Sequence, residues 1–292
     1  CILKYLIETV GEEEMIKHIE APQLPVPTQS NASYRLKDLF EALVDIITDV
    51  PLCEFTYVVH LEAINCLLVL LSVQLFSQTA AEYSCIYRIA MHSHSSEHAP
   101  AMVCTLLHNF VQQEHAPPGL LTQQPGGSIV FSIAGMFNTG LWNVITMGMG
   151  SSLKNVQVTK TPLASQSLLL LLVLTNHCTA TQNPYRNALF TFVDMQETNT
   201  YVCVRARDFR RLFHNARKNI CKIPNTDEVT LLLYMLLHRN SSVKQDIMRR
   251  SDIQLLVVTP ILQILYHAPN NTSHHIYMSL IILLILSEDE TF

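Results

Sequence analysis

The chain holds 13 histidines and 24 acidic side chains, and one group of them has a spacing that an enzyme would use. His94-Ser95-Ser96-Glu97-His98 fits HxxEH. In that pattern two histidines on adjacent helical turns ligate zinc and the glutamate activates water. His92 stands nearby as a spare imidazole. The setting argues against zinc: serines surround the motif and Ala99-Pro100 follows at once. A zinc enzyme needs a firm helix and a third protein ligand. Residues 91–100 therefore read as a solvated polar loop, and a zinc-dependent hydrolase built on His94, Glu97 and His98 stays as an alternative.

The remaining candidates are weaker still. His274 and His275 are neighbours, and neighbours on a helix point to different faces. One of the two caps or packs while the other faces water. His108, His238 and His267 each follow an apolar helical pattern, where the helix dipole favours a cation. His177 and Cys178 are adjacent, but a working Cys/His couple is assembled by folding and not by adjacency. Ser132 lacks a GxSxG elbow. The acidic groups GEEE (Gly11–Glu14) and SEDE (Ser287–Glu290) sit at the ends of patterns as solvated faces. The chain reads as a non-enzyme, with no cofactor, no metal and no small-molecule substrate.

One long stretch asks a different question. GGSIVFSIAGMFNTGLWNVITMGMGSS (Gly126–Ser152) holds six of the eight glycines and no charged residue. It lacks GxxxxGK[ST] and GxGxxG, so it is no phosphate cradle. Residues 129–149 are just long enough to anchor an integral membrane protein, which gives a second alternative. Gly135, Asn138, Gly140, Asn143 and Thr146 lower its hydrophobicity, and hardly a positive residue flanks it. The favoured reading is a packed or partner-covered helix. Ser128, Ser132, Gly135 and Thr139 then form one small-residue stripe that lets another helix approach closely, while Phe137, Trp142 and others face elsewhere. Reversible contact with a membrane surface is the intermediate case.

The elements that must position these residues are helical. Hydrophobic residues make up 49% of the chain and charged residues 15%, against about 25% charged in ordinary soluble proteins. Much surface must therefore be hidden in packing, in a partner or against a membrane. A net charge of −5 and the lack of a basic tract remove electrostatic support for nucleic acid. Eight cysteines without a CxxC pair, several in apolar runs, read as buried free thiols in a reducing compartment. The sequons at Asn31, Asn240, Asn270 and Asn271 read as chance. Cys1 at the start and SEDETF after an apolar run read as part of a longer protein, so an N-terminal lipidation signal lies out of view.

YRLKDLFEALVDIITDV places Leu36, Leu39, Phe40, Leu43, Ile46 and Ile47 at helical spacing before Pro51. SLLLLLVLTNH, TLLLYMLLHRN and MSLIILLILSEDE share a polar start, a Leu/Ile run and a polar stop. Thr161-Pro162 suits an N-cap and first turn, and Asn225 with Glu228 resembles a capping box. Pro260 opens a helix behind Thr259 or kinks a longer one. Arg205, Arg207, Arg210, Arg211, Arg217 and Lys218 suggest a basic helix, and TYVCVRA keeps a strand open. Such runs are too short for confident membrane spans and suit helices covered on nearly all sides. The expected fold is all-α: an irregular armadillo/HEAT-like helical array, α-solenoid-like, forming a single region over 1–292. Gly/Pro/Ser-rich joints fall at 112–128 and 148–162.

Several of these segments together resemble one family. GLWNVIT (Gly140–Thr146), PLASQSLLLLLVLTNH (Pro162–His177), NPYRNAL (Asn183–Leu189), TLLLYMLLHRNS (Thr230–Ser241) and ILQILYHAPNNTSHHIYMSLIILLILSEDE (Ile261–Glu290) resemble dymeclin. DVPLCEFTYVVHLEAINCLLVLLSVQLF (Asp49–Phe76) does too, and the resemblance runs roughly from residue 35 to the end. It implies a non-enzymatic cytoplasmic protein bound peripherally to the cytosolic face of the Golgi apparatus membrane. The implied role is Golgi organisation and vesicle trafficking, with importance for bone development, through Golgi or vesicle-trafficking proteins and reversible membrane association. An N-terminal myristate accompanies the family. No catalytic residue carries over. Gly140, Leu141, Trp142, Asn183, Pro184, Tyr185, Arg186, His274, His275 and Tyr277 carry over as motif residues only. In NPYRNAL, Asn183-Pro184 is placed to start a helix, with Arg186 paired to a nearby carboxylate or carbonyl. Ser132, Gly135, Thr139, Gly140, Trp142, Tyr185, Arg186, His274, His275 and Tyr277 are thus the packing or interaction candidates.

Overall fold

The computed structural model describes residues 2–20, 34–76, 83–92, 97–117, 161–177, 182–191, 226–249 and 251–289. Among them every element is helical, as the all-α reading requires. The glycine-rich stretch, with Ser132, Gly135, Thr139, Gly140, Trp142 and the 129–149 anchor, lies outside the described residues. So do TYVCVRA and the basic run at 205–218.

A helical pair, α1 (Ile2–Thr9) and α2 (Glu12–Glu20), precedes α3 (Tyr34–Asp49). Leu36, Phe40, Leu43, Val44 and Ile47 of α3 are buried at spacings of three and four, while Asp38 and Asp45 face water. Pro51 follows, and Thr56 fastens the turn. Its Oγ1 donates to the Pro51 carbonyl at 2.8 Å and accepts from the Cys53 N–H at 2.9 Å. The chain then enters α4 (Tyr57–Leu71), prolonged by α5 (Val73–Phe76). Tyr57–Leu75 is the one helix among the described residues long and apolar enough to cross a membrane, and two-thirds of it is buried within the molecule.

The segment expected as a polar loop over 91–100 is bounded by two helices. The first, α6 (Cys85–His92), carries buried Met91, and the second, α7 (Ala99–Gln112), opens on buried Ala99. Pro100 sits in the first turn of α7, where a missing N–H costs no hydrogen bond. Gln113 ends α7 in the left-handed region at φ 52°.

Next come α8 (Pro162–Asn176), α9 (Pro184–Thr191), α10 (Thr226–Arg239) and α11 (Ser241–Met248). Thr161 occupies the N-cap position of α8, but its hydroxyl makes no cap bond and donates instead to Gln113 Oε1 at 3.0 Å. Asn225 lies outside the described residues; its would-be partner Glu228 is buried in α10. Asn240 links three elements: its Nδ2 donates to the Leu189 carbonyl and its Oδ1 accepts from the Val243 N–H. A glycan on that buried nitrogen would break the contact with Leu189, so this sequon serves the fold.

Pro260 lies in the first turn of a helix, the first of the two alternatives read from the sequence. A π-turn at Gln254–Val258 runs straight into α12 (Thr259–Tyr266), with Pro260 in its first turn. The proline ring would clash with a carbonyl one turn back. The wider π-turn relieves that, and Thr259 Oγ1 donates to the Gln254 carbonyl at 2.8 Å. A 3-10 turn at Ala268–Asn270 leads to α13 (Ser273–Ser287).

The hydrophobic core is contiguous through these elements, and α8 lies near its middle. It packs on α4, α7, α9 and α10. The α1–α2 pair and α3 flank α4 on one side; α10 carries α11 and α13 on the other, and α12 packs on α13. Of the four cysteines whose state is described, Cys66, Cys85 and Cys104 are half-buried and Cys53 is exposed, all as free thiols.

Candidate functional site

Two buried polar junctions hold Tyr185, Arg186 and His275 of the residues that the sequence singled out. The first closes the end of α8. That helix is built from Leu and lacks any charged side chain, so its terminal backbone groups need partners from elsewhere. At its start the Tyr57 hydroxyl accepts from the Leu163 N–H at 3.3 Å. At its end Asn183 Nδ2 donates to the Leu174 carbonyl at 2.7 Å, and Arg186 donates through Nε to Thr175 O at 2.7 Å and through Nη2 to His177 O at 2.8 Å. Asn183 also starts α9, its Oδ1 accepting from the Arg186 N–H at 2.9 Å. Of the two partners left open for Arg186, carbonyls are the ones it takes.

Aromatic residues complete this junction. Tyr185 is 1% exposed, and its hydroxyl donates to the Ala90 carbonyl at 3.3 Å near the end of α6. Tyr87 donates to the Leu71 carbonyl at 2.9 Å, the last residue of α4, and stacks on the His177 ring at 3.9 Å. Burial raises both phenol pKa values and keeps the hydroxyls protonated as donors. Burial, helped by the Arg186 charge, pushes His177 down to about 4. The ends of three helices therefore meet on side chains from α6 and α9.

The second junction ties α10 to α13. His275 is 1% exposed while His274 faces water, the division expected of adjacent positions. The His275 ring lies between Asp227, with Nδ1 2.9 Å from Oδ1, and Thr230, with Nε2 2.8 Å from Oγ1. Thr272 donates to Asp227 Oδ2 at 2.9 Å and caps α13 by accepting from the His275 N–H at 3.3 Å. Burial works against ionisation of Asp227, but the bonds and charge from His275 and the bond from Thr272 outweigh it and lower its pKa.

Carboxylate, imidazole and hydroxyl in this order are also the order of a hydrolytic triad. Thr230 is 1% exposed in the second turn of α10. No substrate carbonyl reaches its oxygen unless α10 and α13 part. As folded, the trio joins helices. Sequence reading missed it because Asp227 and Thr230 lie 45 residues from Thr272 and His275 respectively. The one local signal is D-x-x-T, which sets two polar groups on one face of an apolar helix.

The other candidates scatter. Tyr277 is 65% exposed on the outer side of α13. Glu97 is exposed and His98 half-buried, and His94 lies outside the described residues. Among the described residues no group of three or more His, Cys, Asp or Glu side chains is placed to hold a metal ion.

Comparison with known proteins gives one consistent relationship. The family model described as "Dymeclin: Dyggve-Melchior-Clausen syndrome protein" matches residues 1–292, including the first thirty, where the resemblance in the sequence motifs is less clear. Dymeclin of Gallus gallus is 39% identical over the whole chain, which covers 45% of that relative. Dymeclin of Mus musculus gives the same 39% and 45%, and that of Drosophila melanogaster 36% with 46% of its length covered. The chain thus spans about half the length of the curated relatives it matches. No solved structure matches.

Proposed function

Because the chain belongs to the dymeclin family, we propose that it is part of a non-enzymatic scaffold, bound peripherally to the cytosolic face of Golgi membranes, that supports Golgi organisation and vesicle trafficking. The observation that carries this reading is the match of the family over every residue of the chain. The disposition of polar groups agrees with it. Arg186, Asn183, Tyr185, Asp227 and His275 are all turned onto backbone or onto each other. The stacking of α4, α7, α8, α10 and α13 through one core suits an irregular armadillo/HEAT-like array. Such arrays act by presenting surfaces to other proteins. Its partners would be Golgi or vesicle-trafficking proteins, and its membrane contact reversible, with an N-terminal lipid as one source.

Proximity labelling around the tagged natural protein tests the proposal. Golgi and vesicle proteins should dominate the labelled set, and a set lacking them would end the reading. Carbonate extraction separates it from an integral anchor at residues 129–149. Release into the soluble fraction is expected, and retention in the pellet would favour the anchor.

A further inference from the structure

The last described helices leave an apolar face uncovered. On α13, Tyr277, Leu280, Ile281 and Leu284 recur at spacings of three, one and three and are 42–65% exposed. Leu262 and Tyr266 of the adjoining α12 are exposed as well. The opposite side of α13, with His275, Ser279, Ile282 and Leu286, is fully buried. From Ile253 to Ser287 the sequence contains no Asp, Glu, Lys or Arg. A surface helix of a soluble protein carries its charges on the outer face, and a layer that closes a helical array has a polar outer side. Here that side is Leu, Ile and Tyr.

We propose that this face of α12 and α13 seats a further helical layer of the same polypeptide, supplied by the length that the relatives carry beyond the part matched here. Two observations choose this occupant. The chain accounts for 45% of the length of its vertebrate relatives, which leaves ample sequence for additional layers. The face also lacks the lysines and arginines that draw an amphipathic helix to an anionic membrane. The stripe has the i, i+3, i+4, i+7 form that a neighbouring helix reads. The inference stands apart from the trafficking role.

The test uses the natural full-length protein with Leu284→Cys, and with Phe55→Cys as an internal reference, since Phe55 is 91% exposed. Maleimide labelling is read peptide by peptide in samples that light scattering shows to be monomeric. The thiol at 284 should react at least tenfold more slowly than the thiol at 55. In parallel, p-benzoylphenylalanine in place of Tyr277 should photo-crosslink to a peptide of the same chain outside these 292 residues. Equal labelling rates would overturn the proposal. So would crosslinks to residues within the 292, to a second copy, or to lipid when phosphatidylcholine/phosphatidylserine vesicles are present.

Discussion

Helices α8 and α13 are each 15 residues long, and each lacks Asp, Glu, Lys and Arg. Their surroundings differ. Twelve residues of α8 are buried, because α4, α7, α9 and α10 surround it; five residues of α13 are buried, because α10 and α12 cover one side. The fastening differs in the same sense. The end of α8 is clamped by Arg186 and Asn183 through direct bonds to backbone carbonyls. The start of α13 is tied through side chains, His275 and Thr272 to Asp227. A Leu-rich run therefore says that a helix is meant to be surrounded; it does not say by what. Among the described residues the neighbours of α8 surround it, and those of α13 lie on one side.

The largest effects should come from α8. Leu170 is fully buried, and Leu170→Ala should cost about 2–5 kcal/mol through lost burial and a residual cavity. Urea unfolding measures it, and a cost below about 1 kcal/mol would mean that α8 is not the centre of the core. Next is the clamp at its end. Arg186→Ala removes two charge-assisted bonds and takes the side-chain donor from the Thr175 carbonyl, while His177 O keeps the longer bond from Asn183 Nδ2 at 3.3 Å, a loss of about 2–3 kcal/mol. Arg186→Lys should restore less than half of it, since an ammonium lacks the planar fork that reaches Thr175 and His177 together. Full rescue by lysine would show that charge alone suffices there.

Much of the clamp is legible in the sequence. Asn-Pro starts a helix, so Arg186 falls in its first turn and lies close to whatever precedes that helix. The separation of His274 from His275 follows from their adjacency alone. The partners were not legible. Tyr87 meets His177 across 90 positions of sequence, and His275 meets Thr230 across 45; nothing local fixes either meeting. Thr161 marks a second kind of failure. Its position at the start of α8 was correct, yet its hydroxyl serves Gln113 of α7, because tertiary packing offered a competing acceptor.

Acid should separate the two helices. His177 falls from 6.5 unfolded to about 4 in the fold, so the unfolded chain binds more protons between those values. The contribution is whole above pH 6.5 and is lost as pH falls toward 4, on the order of 2 kcal/mol. His177→Phe, which keeps a ring against Tyr87, should flatten that slope. Asp227 is also depressed, from an ordinary value of 3.8. Its contribution is whole above that value and is lost at lower pH, so Asp227→Asn should flatten the limb below it. Stability measured from pH 7 to pH 3 on both variants checks the assignment. If His177→Phe left the slope between 6.5 and 4 unchanged, that slope would not belong to the junction at the end of α8.

The smallest effect is the most informative about α13. In a protein limited to residues 1–292, Leu284→Ala should change stability by less than about 0.5 kcal/mol, as surface substitutions do, because Leu284 is 58% exposed. The same substitution in the natural full-length protein should cost several times more if a further layer covers the stripe. The contrast between the two lengths matters more than either value. A large cost at both lengths would place the cover within the 292 residues themselves. A negligible cost at both would leave the outer side of α13 open to solvent, and its likeness to α8 would then be one of composition alone.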